Sequence, residues 1–307
     1  MRRVRKYTAG LMPSLQGDEM ENVLDCTLFQ EELCFYGLSS KDAWLIRSKE
    51  GVIVARVSWG DGTAVLKCFE NPAFRREIQN YGILHSCGIP TITVLGKSDR
   101  SILLEDIDSS ETYRLGMEQD LNEPAVIKSI AKWYKTLHTN GRQYVQQYGS
   151  GMYEEWDCFT RENIEGIRDK FDLTDSEGLK ALMDYYGELR KRIEAAPRTL
   201  TYNDFYYTNL VVKKDASEAM MFDYNLLGKG NPASDLRNVT YWFSEENKKL
   251  FFSVYGEVDD RLLLLDQICA PVVSLYFAMS KDVFPDWAKE AIDELDDIPK
   301  LVAELSA

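Results

Sequence analysis

The sequence predicts an α+β protein with two lobes: an N-terminal antiparallel sheet lobe that carries one helix, and a larger, mostly helical C-terminal lobe. Two observations predict this class. Short β-branched runs broken by glycine turns dominate up to about residue 106, and apolar residues at helical spacing dominate from residue 107 onward. The 307 residues are enough for two lobes. We therefore expect an N-terminal lobe over residues 1–106 and a C-terminal lobe over residues 107–307.

The N-terminal lobe is predicted to be a small sheet with one embedded helix. Three apolar runs separated by glycine turns are typical of consecutive antiparallel hairpins: residues 42–48, 52–59 and 64–69. A helix is expected over residues 72–87, where apolar residues recur every three or four positions, and Gly88-Ile89-Pro90 ends it. Two further strands are expected over residues 92–95 and 101–105.

The C-terminal lobe is predicted to be helical on both sides of a short extended region. An apolar stripe predicts a helix over residues 124–139, with Asn140-Gly141 as its stop signal, and a second helix covers residues 176–195. Extended runs follow at residues 199–201, 210–213 and 219–222, the last two flanking a hairpin turn. Helical patterns resume after Pro232 and continue, with breaks, to the end of the chain.

Charge and composition exclude several classes of function. A net charge of −14 and an isoelectric point near 4.8 argue against nucleic-acid binding. The most apolar window, residues 270–279, is about half of the ~20 residues that a membrane span needs. Residues 1–6 are basic, but no apolar segment follows them, so we expect no signal peptide, no membrane partner and a cytoplasmic location. The six scattered cysteines contain no Cys-x-x-Cys pair and are expected to be free, buried thiols. The oligomeric state stays open.

Acidic and amide side chains in one segment carry the functional signal. Asp204 is followed five residues later by Asn209, Asp223 ends the next apolar strand, and Asp235 lies twelve residues further on. Phosphoryl transfer needs a carboxylate that positions the acceptor hydroxyl and takes its proton, and it needs hard oxygen ligands for Mg²⁺. Each residue alone is common in loops, but the ordered set is specific.

This segment resembles the aminoglycoside phosphotransferase and choline kinase superfamily, small-molecule kinases with a protein-kinase-like fold. That family has His-Gly-Asp-x₄-Asn where this chain has Tyr202-Asn203-Asp204-x₄-Asn209. It has Asp-Trp-Glu-x₄-Gly-Asp-Pro-x₂-Asp-Leu where this chain has Asp223-Tyr-Asn-x₄-Gly-Asn-Pro-x₂-Asp235-Leu. The resemblance implies that Asp204 is the base and that Asn209 and Asp223 hold Mg²⁺. Tyr202 replaces the family histidine, and we expect its hydroxyl to support the loop instead. Asp235 is expected to hydrogen-bond the loop backbone.

The resemblance also implies a nucleotide site in the N-terminal lobe, for ATP or GTP as phosphate donor. Lys67 would contact the α- and β-phosphates and Glu77 would hold it in place. The loop after the first strand has no Gly-x-Gly-x-x-Gly motif, so backbone amides from Ser48 to Gly51 would hold the phosphates together with Lys67 and the metal. The backbone of Glu105 and Ile107 would grip the adenine edge.

The acceptor stays open between several small molecules. The negative charge favours a cationic acceptor such as an aminoglycoside, choline or ethanolamine is the close alternative, and a sugar or hydroxy-amino acid is a further one. A protein kinase is disfavoured because only eleven residues separate Asp223 from Asp235, which leaves no long activation segment. A non-catalytic nucleotide-binding module is the alternative of another class, and Tyr202 and the glycine-poor loop are its support. His138 and the turn at residues 241–243 are expected to be buried packing residues.

Overall fold

The computed structural model describes residues 23–306, which form two compact units. Of the described residues, the first unit contains 23–133 and Tyr206–Leu226, and the second contains Tyr134–Phe205 and 227–306. The basic segment at residues 1–6 lies outside the described residues. A functional boundary at residue 106 stays a prediction.

A five-stranded antiparallel sheet forms the centre of the first unit. Its order is β1-β2-β3-β5-β4, and its strands are β1 (Ala43–Lys49), β2 (Val52–Trp59), β3 (Gly62–Phe69), β4 (Val94–Lys97) and β5 (Ser101–Glu105). One face is buried against helix α1 (Thr27–Phe35), which the sequence analysis did not predict. The alternating exposure of β2 reflects this one-sided burial. The predicted strands are confirmed to within two residues.

Two further parts of the first unit position functional residues. Helix α2 (Arg76–Ser86) follows a 3-10 turn at Pro72–Phe74, which together match the predicted helix. A second sheet has the order β6-β8-β9 and consists of β6 (Tyr113–Leu115), β8 (Leu210–Lys213) and β9 (Ala219–Met221). The predicted β8–β9 hairpin is therefore confirmed.

Helix α3 (Pro124–Tyr148) is nine residues longer than the prediction, and the boundary between the two units falls inside it. The expected stop at Gly141 was wrong because this glycine is a packing position. A Cβ atom there would lie 2.6 Å from the Cβ of Leu200, so the helix needs a residue without a side chain where it packs against Leu200.

The second unit is a helical core with one two-stranded sheet. Its helices are α4 (Arg161–Lys170), α5 (Glu177–Asp184), α6 (Tyr186–Ala195), α7 (Pro232–Thr240), α8 (Glu245–Tyr255), α9 (Asp260–Met279), α10 (Lys289–Glu294) and α11 (Ile298–Ser306). Strands β7 (Thr199–Thr201) and β10 (Gly228–Gly230) pair antiparallel. The predicted helix over residues 176–195 is two helices, with the break at Tyr185. Helix α4 was not predicted.

Helix α9 is the central packing element of the second unit. By length and composition alone this 20-residue helix passes as a membrane span, because an 18-residue window of it has a mean hydropathy of 1.8, although 56 % of that window is buried in the protein. The apolar run is longer than residues 270–279 because Leu262–Leu265 belong to the same helix. All six cysteines are free thiols; three are buried, and Cys34 is exposed.

Candidate active site

Three of the predicted site residues meet at one lysine in the first unit. The Nζ atom of Lys67, on β3, lies 2.6 Å from Oε2 of Glu77, in the first turn of α2, and 2.8 Å from Oδ1 of Asp223, just after β9. The side chains of Lys67 and Glu77 are 12 % and 1 % exposed. A buried lysine is costly unless anionic groups compensate it, and here two carboxylates do so. The predicted Lys67–Glu77 pair is present.

Burial and neighbouring charges shift the pKa values of both Lys67 and Glu77. Burial alone would lower the pKa of the Lys67 ammonium, but Glu77 and Asp223 outweigh it, so the pKa is raised and the lysine stays charged. Burial raises the pKa of Glu77 to about 7, although Lys67 opposes this shift. Lys67 is therefore a permanent cation held beside a half-buried carboxylate, Asp223.

Helix α2 also holds the backbone of the segment that follows Asp223. The side-chain amide of Asn80 donates to the carbonyl of Tyr224 at 2.7 Å, and the guanidinium of Arg76 donates to the carbonyl of Asn225. Asp223 itself has a φ of 63°, in the left-handed region that few non-glycine residues adopt and in which aspartate is one of the enriched types. Two side chains of one helix thus fix the backbone next to the predicted metal ligand. Neither Asn80 nor Arg76 was expected to be a site residue.

The β8–β9 hairpin places the two predicted magnesium ligands one position apart across its two strands. The backbone N–H of Phe222 donates to the carbonyl of Asn209 at 3.0 Å, one step beyond the Leu210–Met221 pair of the hairpin. Asn209 is therefore the cross-strand neighbour of the residue before Asp223. An amide and a carboxylate are oxygen ligands of the kind that Mg²⁺ takes, and their role as its ligands stays a prediction.

A small cavity lies beside Lys67 and Asp223. It has a volume of about 100 Å³, and its lining includes Lys67, Glu77, Asp223 and Asn225 from the residues above, together with Arg47 and Lys49 from β1. The Oδ1 atom of Asn225 is buried and has no hydrogen-bond donor within residues 23–306. An oxygen that accepts no hydrogen bond can coordinate a cation, so the oxygen atoms that line this cavity are compatible with Mg²⁺. Among the described residues no group of three or more His, Cys, Asp or Glu forms a metal site by itself, which suits a cation that keeps water and phosphate oxygens as ligands.

The four remaining residues predicted to contact the nucleotide also lie in the first unit. The register of β1 places Ser48 opposite Ile53, on the sheet face that packs against α1, so any phosphate contact of Ser48 would come from its backbone. Gly51 has a φ of 77° in the β1–β2 turn. Glu105 ends β5, and Ile107 begins the 3-10 turn that follows. Their nucleotide contacts stay predictions.

The predicted catalytic loop belongs to the second unit and is held by a buried carboxylate. Oδ2 of Asp235 accepts a hydrogen bond from the backbone N–H of Tyr202 at 2.8 Å, and Oδ1 accepts one from the N–H of Asn203 at 2.7 Å. Asp235 is fully buried, and Asn203 has a φ of 65°. The predicted bond between Asp235 and the loop backbone is therefore confirmed, and the two bonds fix the chain immediately before Asp204.

His138 extends this network from helix α3. Its Nε2 atom donates to Oδ2 of Asp235 at 3.0 Å, and its Nδ1 atom lies 2.8 Å from the hydroxyl of Tyr255. The imidazole is 5 % exposed, so the expected buried position is confirmed, although it is a hydrogen-bonded position. The turn after α7 was predicted less well, because Phe243 is buried but Tyr241 is 53 % exposed.

Known proteins are similar to this chain in sequence and in fold. The sequence model of the phosphotransferase enzyme family matches residues 50–260, which is more than half of the chain. The chain belongs to this family. It is therefore a phosphotransferase that acts on a small-molecule hydroxyl group, and the predicted resemblance and enzyme class are confirmed. No curated protein matches the sequence.

Solved structures with the same fold include several small-molecule kinases. The chain is similar to the choline kinase LicA from Streptococcus pneumoniae, at 13 % identity and a TM-score of 0.60 over 93 % of this chain and 99 % of that one. It is similar to the macrolide 2'-phosphotransferase MphH from Brachybacterium faecium at 14 % identity and a TM-score of 0.61, over 91 % of this chain and 98 % of that one. It is similar to a Plasmodium vivax ethanolamine kinase at 14 % identity and a TM-score of 0.60, over 96 % of this chain and 98 % of that one. These likenesses show the fold and confirm the predicted protein-kinase-like α+β class.

Proposed function

We propose that the protein transfers the γ-phosphate of ATP or GTP, bound with Mg²⁺, to a hydroxyl of a small cationic molecule. Asp204 acts as the base, Asn209 and Asp223 hold the metal, and Lys67 contacts the phosphates. The observation that carries this proposal is the position of Lys67, bonded at 2.6 Å to Glu77 and at 2.8 Å to Asp223. A buried cation next to a carboxylate that is 28 % exposed is what a metal–triphosphate complex requires.

The chain's own residues would position the reactants and neutralise charge. Mg²⁺, when bound, shields the phosphate oxygens and supplies charge for the transferred group. Lys67 exchanges part of its contact with Asp223 for phosphate oxygens and stays charged because Glu77 remains beside it. Asp204 orients the acceptor hydroxyl and accepts its proton as the oxygen attacks the γ-phosphorus, while the bond from that phosphorus to the β,γ-bridging oxygen breaks and ADP or GDP leaves. The role of Asp204 rests on its place in the motif and on the buried bonds that fix Tyr202 and Asn203 before it.

The charge of the second unit supports a cationic acceptor. This unit contains 28 acidic and 18 basic residues, so it carries −10 of the total charge of −14. The field of such a unit attracts polyamines and quaternary amines. An aminoglycoside-like acceptor is favoured on this ground.

Choline or ethanolamine is the second candidate, and a different observation supports it. The exposed ring of Tyr241 follows α7, and its hydroxyl donates to the carboxylate of Glu290 at 3.0 Å. An aromatic face beside a carboxylate is suited to a small ammonium group. We also propose a cytoplasmic location, as expected for a small-molecule kinase of this family.

The test is ADP or GDP release with Mg²⁺·ATP or Mg²⁺·GTP against pooled acceptors: aminoglycosides, choline with ethanolamine, sugars and hydroxy-amino acids. We expect turnover with a cationic pool. In Asp204→Asn we expect a kcat about 100- to 10,000-fold lower, the usual contribution of a general base. Asp282→Asn, which removes an exposed carboxylate of the same unit, is the matched control and keeps full activity.

Two outcomes would contradict the proposal. Near-normal turnover in Asp204→Asn would remove this residue from the chemistry. Nucleotide binding without turnover in any pool would favour the non-catalytic module instead.

A further inference from the structure

A bulge in the edge strand β1 changes which side chains face the nucleotide cavity. Leu45 pairs with Ala55 of β2, but Arg47 pairs with Val54, so Ile46 is an extra residue without a partner of its own. In a regular ladder Arg47 would face Ile53, whose side chain lies in the core against α1. The bulge instead turns Arg47 to the opposite face.

The same face carries Lys67. Val54 pairs with Arg47 on one side and with Lys67 on the other, so Arg47, Val54 and Lys67 form one row across three strands. Lys49 pairs with Val52 and lies two positions along the same face. Side chains of paired residues project to the same side of a sheet. Both basic residues accordingly line the cavity with Lys67 and Asp223.

The charges in this cavity leave Arg47 available for a ligand. Lys67 is bonded to Glu77 and Asp223, and Lys49 lies 3.9 Å from Glu50. Within residues 23–306 the guanidinium of Arg47 has no hydrogen-bond or ion-pair partner. An exposed arginine beside a cavity that already holds a buried lysine is positioned for an anion.

The size of the cavity and the loop next to it indicate which anion. About 100 Å³ is less than the roughly 300–1,000 Å³ of pockets that enclose whole ligands, so the cavity accommodates only part of a nucleotide. The β1–β2 turn has a single glycine, so it lacks the run of glycines with which a glycine-rich loop surrounds phosphates. The planar guanidinium group binds phosphate oxygens in a bidentate manner.

We propose that Arg47 binds the phosphate chain of the nucleotide, supported by Lys49, and that the bulge at Ile46 gives both residues this function. Side-chain cations of β1 thus replace a glycine-rich loop. This inference rests on the proposed function, because it requires a nucleotide at Lys67 and Asp223.

The test measures the affinity of the purified full-length protein for Mg²⁺·ATP, Mg²⁺·ADP and adenosine by calorimetry, or for the guanine series if that is the one bound. In Arg47→Gln we expect affinity for the tri- and diphosphate to fall about 10- to 100-fold, the loss of one charge-assisted contact, and affinity for adenosine to stay unchanged. Arg47→Lys restores part of the loss. Lys49→Gln lowers affinity by up to about fivefold, as for an exposed charge.

The matched control is Lys41→Gln, which removes the same charge in the 3-10 turn just before β1 and leaves all affinities unchanged. Equal affinities of Arg47→Gln and the wild type for ATP, in a protein that binds ATP, would overturn this inference and leave the proposed function intact. An equal loss for adenosine would also overturn it, because the variant would then have damaged the fold. Failure of the wild type to bind any nucleotide would overturn both.

Discussion

Replacement of Asp235 by asparagine tests how strongly a single carboxylate holds the catalytic loop. Oδ1 accepts one backbone N–H, from Asn203, and Oδ2 accepts one from Tyr202 as well as the Nε2–H of His138. Asparagine keeps only one accepting oxygen. Whichever way the amide turns, one buried N–H of the loop loses its acceptor and faces a second donor.

The expected cost follows from these contacts. A buried donor left without an acceptor costs about 1–3 kcal/mol, and the surviving bond loses its charge assistance, worth about 1 kcal/mol more. The full burial of Asp235 prevents water from replacing the lost acceptor. We therefore expect Asp235→Asn to lower the free energy of unfolding by about 2–4 kcal/mol.

Two measurements check this expectation. Urea unfolding at pH 7 gives the change in stability, with Asp282→Asn as the control that removes an exposed carboxylate. Amide hydrogen exchange reports the loop itself, and the amides of Tyr202 and Asn203 are expected to lose protection before other residues of β7 and α7. A stability within about 0.5 kcal/mol of the wild type, or unchanged protection of both amides, would refute the reasoning.

Two further variants test packing and charge in the second unit. Burial raises the pKa of Glu155 to about 7, and Arg237 opposes this shift, so the contribution of the carboxyl group to stability is fully present below about pH 4.5 and is lost as the pH rises through 7. We therefore expect Glu155→Gln to stabilise the protein by up to about 3 kcal/mol at pH 8 and to leave its stability unchanged at pH 4.5. Urea unfolding at both pH values measures the two effects, and equal effects would contradict this expectation. A Cβ atom at Gly178 would lie 2.0 Å from the carbonyl oxygen of Leu295, so Gly178→Ala should destabilise by about 1–3 kcal/mol or more, whereas Gly187→Ala, which meets nothing within 4 Å, should stabilise slightly; equal changes in the two variants would be the contrary result.

The parts of the fold that the sequence predicted are those that local patterns determine. The hairpins of the first sheet follow from β-branched runs between glycine turns, and the Lys67–Glu77 pair follows from a lysine inside an apolar strand. Gly141 led to a wrong prediction of the end of helix α3, because a glycine can either end a helix or allow close packing within one. Local pattern favours a helix stop, whereas the structure uses the absence of a side chain to pack against Leu200. Sequence alone does not distinguish these uses, because the contact partner lies 59 residues away.

The site residues divide in the same way. Asp223 and Asn209 were found by their spacing in one segment, whereas Asn80 and Arg76 act through carbonyl groups more than 140 residues along the chain. A side chain that bonds to a backbone carbonyl leaves no mark in the sequence of its partner. The only available signal was their position on the helix, next to Glu77.

Arg47 shows how a one-residue irregularity changes a functional prediction. Strict alternation from Ala43 through Leu45 places residue 47 on the core face of the sheet, where an arginine would be buried at great cost. This conflict between the two-residue alternation of the strand and a charged residue at a core position indicates that the strand is irregular. The extra residue Ile46 places Ser48 instead of Arg47 opposite Ile53 and turns Arg47 and Lys49 toward the face of Lys67. Arg47, two residues beyond the core position Leu45 of this edge strand, is therefore a sequence signal for a bulge. The function that we propose for this bulge is to turn basic side chains toward the candidate phosphate site.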